Sequence, residues 1–284
     1  MSLHAGGFSA RRLTRRSARR TTRKAARSNT VRGLGRVGFA ARGLVYVLIG
    51  WIALLIVFHH NALQADRTGA LELVAGTSIG LVLLWFLVVG FAGMALWRLS
   101  QAAYPTSRQT RKAGSRAGSF VRAVFYAAAG ASTLDFVLAH RLSGSSDQVS
   151  RDFTTRTMAH QGGRALVAIV GLALIVGGLA QVWRGVTRTF AKNLKLSRLS
   201  AAQRRGVMWL GTVGSVARGI VFAVIGWFMF DAALTFDPSR AKGVDSALRS
   251  FAAADYGPVL LILMALGLVA FGAYSWCEAR WRRL

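Results

Sequence analysis

The sequence predicts an all-α, polytopic integral membrane protein in which six transmembrane helices form three parallel two-helix hairpin repeats and a pseudo-threefold bundle. Three observations support this fold class: long apolar runs, an uneven distribution of charge, and an internal repeat. Of the 284 residues, 53% are hydrophobic, yet the formal net charge is +27. Soluble domains rarely combine these two values, so apolar and basic residues are expected to be segregated along the chain.

Six charge-poor runs contain most of the apolar residues. They cover roughly residues 39–58, 79–97, 120–140, 163–183, 214–234 and 256–275. Each run is close to the ~20 residues that a helix needs to cross the hydrocarbon core of a bilayer. Glycines within the runs are typical of membrane helices, because small residues let neighbouring backbones pack closely. Six spanning helices are therefore predicted.

Basic residues are concentrated in alternate connecting segments. The segment up to Arg42, the second and fourth loops and the C-terminal tail hold 29 of the 37 Lys and Arg residues. Nine of the ten acids lie toward the opposite side, and Glu278 alone shares the basic side. Because short cytoplasmic loops retain Lys and Arg, we expect the N- and C-termini to be cytoplasmic.

The first helix of each hairpin carries the same motif. The stretch "GFAARGLVYVLIGW" begins at Gly38 and recurs as "GSVARGIVFAVIGW" from Gly214, with a third copy, "GSFVRAVFYAAAG", from Gly118. The second helices recur as well, since Ala70-Leu71 corresponds to Ala247-Leu248. Each unit is a pair of spanning helices, so successive units enter the membrane from the same face and are parallel repeats.

The repeat divides the chain into four segments. Residues 1–33 form a basic leader, residues 34–104 hold the first two spans, residues 113–190 the next two, and residues 210–281 the last two. Arginines four apart in the leader repel one another, so the leader is predicted to be disordered and cytoplasmic. Anionic phospholipid of the inner leaflet attracts such a segment by about 1 kcal/mol per basic residue. Nucleic acid is not an expected partner, because no aromatic residues alternate with the arginines to stack on bases.

These motifs resemble those of the bacterial membrane-protein family called domain of unknown function 1206. The resemblance rests on the threefold "GxxARGxVYxxIGW" hairpin, on "WRGVTRTF" at the end of the middle copy, and on "FGAYSWCEARWRRL" at the end of the last. It covers the chain from Leu34 to Leu284. It implies a multi-pass protein of the bacterial inner membrane, and the family has no established activity to transfer.

One arginine lies inside the first apolar run of each repeat, at Arg42, Arg122 and Arg218. A charge within a span costs roughly 2.5 kcal/mol or more and is a candidate functional site. In one interpretation, each guanidinium snorkels to lipid phosphate at the interface. In the other, the symmetry brings the three arginines toward a common axis, where an anion or a lipid headgroup balances their charge. Glu278 is the only acid on that side.

Two further groups of polar residues lie toward the outer side. Asp135 and Asp231 correspond in the repeat, and they are either simply exposed at the interface or part of a site that accepts a proton or cation. His60, His140 and His160 could ligate a metal or haem. Their spacing lacks a ligand signature, so neither a metal site nor a cofactor is predicted.

The sequence contains no constellation of catalytic residues. It therefore predicts a membrane protein without enzymatic activity, and a scaffold or accessory protein fits best. One alternative is a small-solute, proton or ion pathway, which would need a polar lining through the bundle. Another is an intramembrane enzyme or a metal or haem carrier that uses the outer-side histidines. A protein partner is not identifiable from the sequence.

Overall fold

A computed structural model describes residues 29–59, 65–75, 80–103, 113–139 and 144–282. Within these ranges the chain is almost entirely helical, and six helices are long and apolar enough to cross a membrane. The predicted fold class is thereby confirmed: the protein is a multi-pass, all-α membrane protein.

The described residues form six long α-helices and three short ones, and each short helix lies between the two spanning helices of one hairpin. The spanning helices are α1 (Asn29–His59), α3 (Gly80–Ala103), α4 (Ala113–Ala139), α6 (Gly163–Val186), α7 (Ala201–Thr235) and α9 (Gly257–Trp281). The short helices are α2 (Arg67–Ala75), α5 (Ser146–Met158) and α8 (Val244–Ala252). Ala70-Leu71 and Ala247-Leu248, which the repeat pattern assigns to the second spanning helices, belong instead to the short helices α2 and α8. We call the end of the bundle with the short helices the acidic end, and the opposite end the basic end.

Two spanning helices extend beyond their apolar runs at the basic end. α1 begins at Asn29, so residues 29–33 of the predicted leader are helical, whereas residues 1–28 lie outside the described residues. α7 has 35 residues, which corresponds to about 52 Å against a hydrocarbon core of about 30 Å. Ser200 and Gln203 form a capping box that begins α7. Helices can continue past the apolar run because charged residues are stable outside the hydrocarbon.

The spanning helices form a ring that is interrupted at one place. The second helix of each repeat packs against the first helix of the next, so that α3 packs on α4, α6 on α7, and α9 back on α1. In the first and third repeats the two spanning helices also pack together, as α1 with α3 and α7 with α9. Over the described parts of the middle repeat, α4 and α6 do not pack against each other. The middle hairpin is therefore open.

Two of the interfaces between repeats contain glycine pairs at equivalent positions. A Cβ added at Gly43 would lie 2.8 Å from the carbonyl oxygen of Gly272, and one added at Gly219 would lie 2.7 Å from the carbonyl oxygen of Gly178. Only glycine permits this approach, because any larger residue would collide with the facing backbone. The α1–α9 and α6–α7 interfaces are thus equivalent in packing.

Apolar side chains fill the interior of the ring. One continuous cluster joins five of the spanning helices through residues such as Ile49, Leu87, Tyr126, Ile225 and Leu268. Leu174 of α6 packs against this cluster as a partly buried residue. The arginines of the repeat motif therefore lie at the basic end of an apolar core.

Three aspartates join the repeats into a closed ring at the acidic end. Each carboxylate stands at or beside the start of a short helix and accepts a backbone N–H from the next repeat. The three bonds run from Ser146 to Asp66, from Gly243 to Asp147 and from Ala65 to Asp245, with N···O distances of 2.6, 2.7 and 2.7 Å. Carboxylates are favoured at helix N-termini, where N–H groups lack partners within the helix. We call this arrangement the aspartate ring.

Arginines at the acidic end add further contacts between repeats. Arg67 of α2 donates to the carbonyl oxygen of Ala129 and to Oγ of Ser132 in α4, both at 2.8 Å. Burial lowers the pKa of the Arg67 guanidinium. Arg164 of α6 donates to the carbonyl oxygen of Ala233 near the end of α7, at 2.8 Å. The acidic end is therefore tied together by polar contacts, although α4 and α6 remain apart.

Candidate arginine site at the basic end

The three arginines of the repeat motif lie in different surroundings. Arg42 is buried, with 7% of its surface exposed, Arg218 is half-buried, and Arg122 is exposed. Arg42 and Arg218 both pack against the ring of Phe271, with their Cζ atoms 5.1 and 4.8 Å from its centroid. These two arginines therefore point into the bundle, as the common-axis hypothesis requires. The snorkelling interpretation is wrong for Arg42, and only Arg122 has the exposure it requires.

Arg42 forms a buried ion pair with Glu278 of α9. Its Nη2 donates to Oε2 of Glu278, and its Nε donates to Oγ of Ser275 at 3.2 Å. The other carboxylate oxygen of Glu278 accepts a hydrogen bond from Arg282. Glu278, the acid that the sequence placed alone on the basic side, is thus the partner of Arg42. Its two charge-assisted bonds neutralise a charge that would be costly to leave buried.

Arg218 has no carboxylate partner among the described residues. Its Nε donates to the hydroxyl oxygen of Tyr46 at 2.6 Å, and its Nη1 donates to Oε1 of Gln181 at 3.0 Å. The guanidinium also lies over the ring of Phe222, with Cζ 4.5 Å from the centroid. These partners are neutral, so they orient Arg218 without balancing its charge.

The glycine pairs show which residues are equivalent at the two interfaces. Since Gly178 and Gly272 face equivalent glycines, α6 and α9 align with an offset of 94 residues. At this offset, Gln181 corresponds to Ser275, and Arg184 corresponds to Glu278. The position that supplies a negative charge to Arg42 therefore supplies a second positive charge beside Arg218.

Arg122 extends this cluster across the opening of the middle hairpin. Among the described residues it has no ion pair and no side-chain hydrogen bond. Arg218 of α7 is hydrogen-bonded to Gln181, which lies three residues before Arg184 on α6, and the positive charges of Arg184 and Arg218 act against that of Arg122. Three arginines from three helices thus lie at the basic end of the gap. We call Arg122, Arg184, Arg218 and Gln181 the arginine notch.

Two buried nitrogen atoms near this place have no hydrogen-bond partner within the described chain. They are Nε2 of Gln181 and Nε of Arg98. Arg98 lies within electrostatic range of Arg122, and it also donates to Oε1 of Gln101 at 3.2 Å. A buried donor costs about 1–3 kcal/mol unless it meets an acceptor. The notch can therefore offer both positive charge and a neutral donor to an anion.

The two repeat-related acids do not join this site. Asp135 is exposed on α4 near the acidic end. Asp231 forms an ion pair with Arg240 on the same side, with an N···O distance of 3.2 Å. The structure thus leaves Asp135 in the exposed position that one interpretation predicted, whereas Asp231 has a basic partner.

The histidines are only partly described. His60 and His140 lie outside the described residues. His160 is exposed, and its Nδ1 lies 2.9 Å from the carbonyl oxygen of Arg156. Within the described ranges, no three His, Cys, Asp or Glu side chains are close enough to hold a metal ion.

Sequence reasoning did not single out Arg98, Arg184 or Arg282 as site residues. Each lies at or just beyond the basic end of a spanning helix, where basic residues are expected from topology alone. The constant spacing between glycines on the second helices was the signal that could have placed Arg184 opposite Arg218. That signal depends on knowing which glycines face one another.

Comparison with known proteins identifies a family with the same three repeats. The family model described as Domain of Unknown Function (DUF1206) matches the chain over residues 37–105, 117–188 and 213–282. The chain is also similar to a Bacillus subtilis (strain 168) protein named "Uncharacterized protein YxxB", with 29% identity over 248 residues, which is 86% of this chain and 89% of that protein. No solved structure matches the chain significantly. Each matched segment covers most of the two spanning helices of one hairpin.

Proposed function

The chain belongs to the DUF1206 family, and from this premise we propose that it is a non-enzymatic scaffold or accessory protein of the bacterial cell membrane. The observation that supports this proposal is the open middle hairpin, in which α4 and α6 do not pack together. Helices in a bilayer associate through close side-chain packing, so two neighbouring unpacked faces can receive another membrane component.

The outward surfaces of α4 and α6 are apolar and extensive. Only 17% of the most apolar segment of α6 is buried within the protein, against 50% for α9. Exposed large apolar residues of the two helices include Phe120, Val124 and Phe125 on α4, and Leu166, Ile169, Leu172, Val176 and Leu179 on α6. The middle repeat therefore offers more membrane-facing surface than its neighbours.

The proposed orientation places the basic end in the cytoplasm. The described part of this end includes Arg188, Arg204 and Arg205, which line a shallow surface depression beside Trp209. An exposed tryptophan next to arginines is typical of a helix that crosses the interface of an anionic leaflet. The overall bias of Lys and Arg toward this end supports the same orientation.

Thiol labelling in intact cells tests the orientation. In a Cys277→Ser background, an Arg280→Cys variant should resist an impermeant maleimide, whereas an Asp152→Cys variant should react. Both residues are exposed, so accessibility within the protein does not distinguish them. Rapid labelling at residue 280 together with protection at residue 152 would reverse the proposed orientation.

Site-specific photocrosslinking tests the scaffold role. A photoreactive residue replacing Ile169 on α6 should form a discrete adduct with another membrane protein in cells. The matched control replaces Trp227 on α7, which is similarly exposed, at 57% against 63%. Equal or absent crosslinking at both positions would contradict the proposal. Solute or ion flux through the purified chain in proteoliposomes would instead support a pathway.

A further inference from the structure

We propose that the arginine notch binds the phosphodiester of an anionic glycerophospholipid, with the acyl chains lying along the gap between α4 and α6. The inference deepens the proposed function, because it rests on the bilayer placement given above. It does not depend on the scaffold role.

The charges of the notch provide the first argument. Arg122 and Arg184 lie on the two helices that flank the gap, Arg218 is hydrogen-bonded to Gln181 beside Arg184, and no carboxylate among the described residues pairs with any of the three. Like charges are costly where water is scarce, because the low dielectric strengthens their repulsion. An anion between them removes this cost, and guanidinium groups can each donate two parallel hydrogen bonds to phosphate oxygens.

The equivalent interface shows how the protein itself meets the same requirement. Beside Arg42, the position equivalent to Arg184 is Glu278, which supplies the anion from within the chain. Arg42 is consequently buried and its charge is balanced. The notch has the same framework with the charge inverted, and no carboxylate of the described residues supplies its anion.

The exposure and the hydrogen bonds of the three arginines indicate how a ligand would reach the notch. Arg122 and Arg184 are exposed, whereas Arg218 is half-buried and is held by Tyr46 and Gln181. A phosphate oxygen seated against Arg218 can also accept a hydrogen bond from Nε2 of Gln181, which lacks an acceptor among the described residues. The headgroup would thus be held by two accessible arginines and a preorganised third.

The surroundings of the notch favour a lipid over a free anion. The gap lies between two helices that do not pack together, and both carry exposed apolar residues along their length. Acyl chains bound there would cover apolar surface while the phosphodiester stays at the level of the arginines. Free phosphate would use only the charged part of this site.

Native mass spectrometry of the full chain in mild detergent tests the inference. Phosphatidylglycerol and phosphatidylcholine with identical acyl chains are titrated separately. We expect one tightly retained phosphatidylglycerol per chain and at least tenfold weaker retention of phosphatidylcholine. Arg184→Glu should weaken phosphatidylglycerol retention at least tenfold, because it recreates beside Arg218 the arrangement found at Arg42.

Two variants control for nonspecific effects. Arg204→Glu makes the same charge change at an exposed position of the basic end outside the notch, and it should leave the tight site intact. Arg122→Gln removes one exposed guanidinium without disturbing the core, and it should weaken retention severalfold. If Arg184→Glu failed to fold, Arg122→Gln would decide the question. Equal effects of the Arg184 and Arg204 variants would overturn the inference.

Competition separates a lipid site from a free-anion site. Inorganic phosphate and glycerol 3-phosphate at millimolar concentration should not displace the tightly retained phosphatidylglycerol. Displacement by either would show that the notch recognises a soluble anion, which overturns the lipid assignment. Lipid retention in the absence of any position-specific crosslink would refute the scaffold role and leave the notch in place.

Discussion

The α1–α9 and α6–α7 interfaces have the same backbone packing and opposite polar chemistry. In both, a glycine pair allows close approach, and an arginine of the repeat motif lies beside the neighbouring helix. Arg42 meets Ser275 and Glu278, whereas Arg218 meets Gln181 and has Arg184 where the first site has its carboxylate. The comparison teaches that the repeat determines where an arginine lies. One residue, a helical turn away, determines whether that arginine forms a structural ion pair or has no carboxylate partner among the described residues.

The largest effect is expected when the ion pair is broken. Glu278→Gln leaves the buried Arg42 without a negative partner and leaves one amide oxygen where Arg42 and Arg282 each have a carboxylate oxygen as acceptor. Loss of one member of a buried pair costs about 3–5 kcal/mol of unfolding free energy. Unfolding in mixed detergent micelles with increasing dodecyl sulfate measures this loss. Asp231→Asn, which breaks an ion pair with a half-exposed arginine, is the control and should cost at most about 1 kcal/mol.

A second prediction tests whether the two interfaces are equivalent in packing. Gly272→Ala and Gly178→Ala should each cost about 2 kcal/mol, because each methyl group would be forced against a facing backbone carbonyl. Gly177→Ala, next to Gly178 but with no atom within 4 Å of the added Cβ, should be neutral or slightly stabilising. The same unfolding assay applies. If the costs at residues 272 and 178 differed by more than about 1 kcal/mol, the equivalence would be refuted.

A third prediction addresses the arginine without a carboxylate. Tyr46→Phe removes the acceptor of Nε in Arg218 and should cost about 1.5 kcal/mol, as expected for a hydrogen bond to a charged group. It should also weaken phosphatidylglycerol retention, because Arg218 is no longer held toward the notch. Tyr256→Phe at an exposed site provides the control. A change in unfolding free energy without a change in lipid retention would show that Tyr46 does not orient the notch.

The smallest effect is expected far from both arginine sites. Asp147→Ala removes a carboxylate of the aspartate ring and should cost about 1 kcal/mol, the typical contribution of a cap at a helix N-terminus. Asp152→Ala, in the same short helix but exposed, should change the unfolding free energy by less than about 0.5 kcal/mol. Lipid retention should be unchanged in both variants. Loss of retention in Asp147→Ala would mean that the two ends are coupled.

The sequence was sufficient to predict the six spanning helices and the threefold repeat, because bilayer thickness imposes a long apolar run on each span. It was insufficient for the short helices α2 and α8. Each has only nine residues, and each lies within one apolar-rich stretch with the spanning helix that follows it. Periodicity alone cannot find a break in such a stretch, so Ala70-Leu71 and Ala247-Leu248 were assigned to the spanning helices.

Of the candidate site, Arg42, Arg122, Arg218 and Glu278 were predictable, since charges within apolar runs are conspicuous, whereas Arg184 was not. The opening between α4 and α6 was not, because all three hairpins show the same apolar pattern and packing depends on contacts distant in sequence. The aspartate ring could not be predicted from the sequence for another reason. Asp66 precedes Ala70 by four residues, whereas Asp245 precedes Ala247 by two, so a constant offset does not align them.

The aspartate ring also sets an order for biogenesis. The N–H of Ala65 and the carboxylate of Asp245 that accepts its hydrogen bond are 180 residues apart. At about 5–20 residues per second, a ribosome needs roughly 10 to 40 s to make the second group after the first. Throughout that interval the N–H of Ala65 in the first hairpin lacks the carboxylate that accepts its hydrogen bond. The aspartate ring can therefore be completed only after the last hairpin has been made.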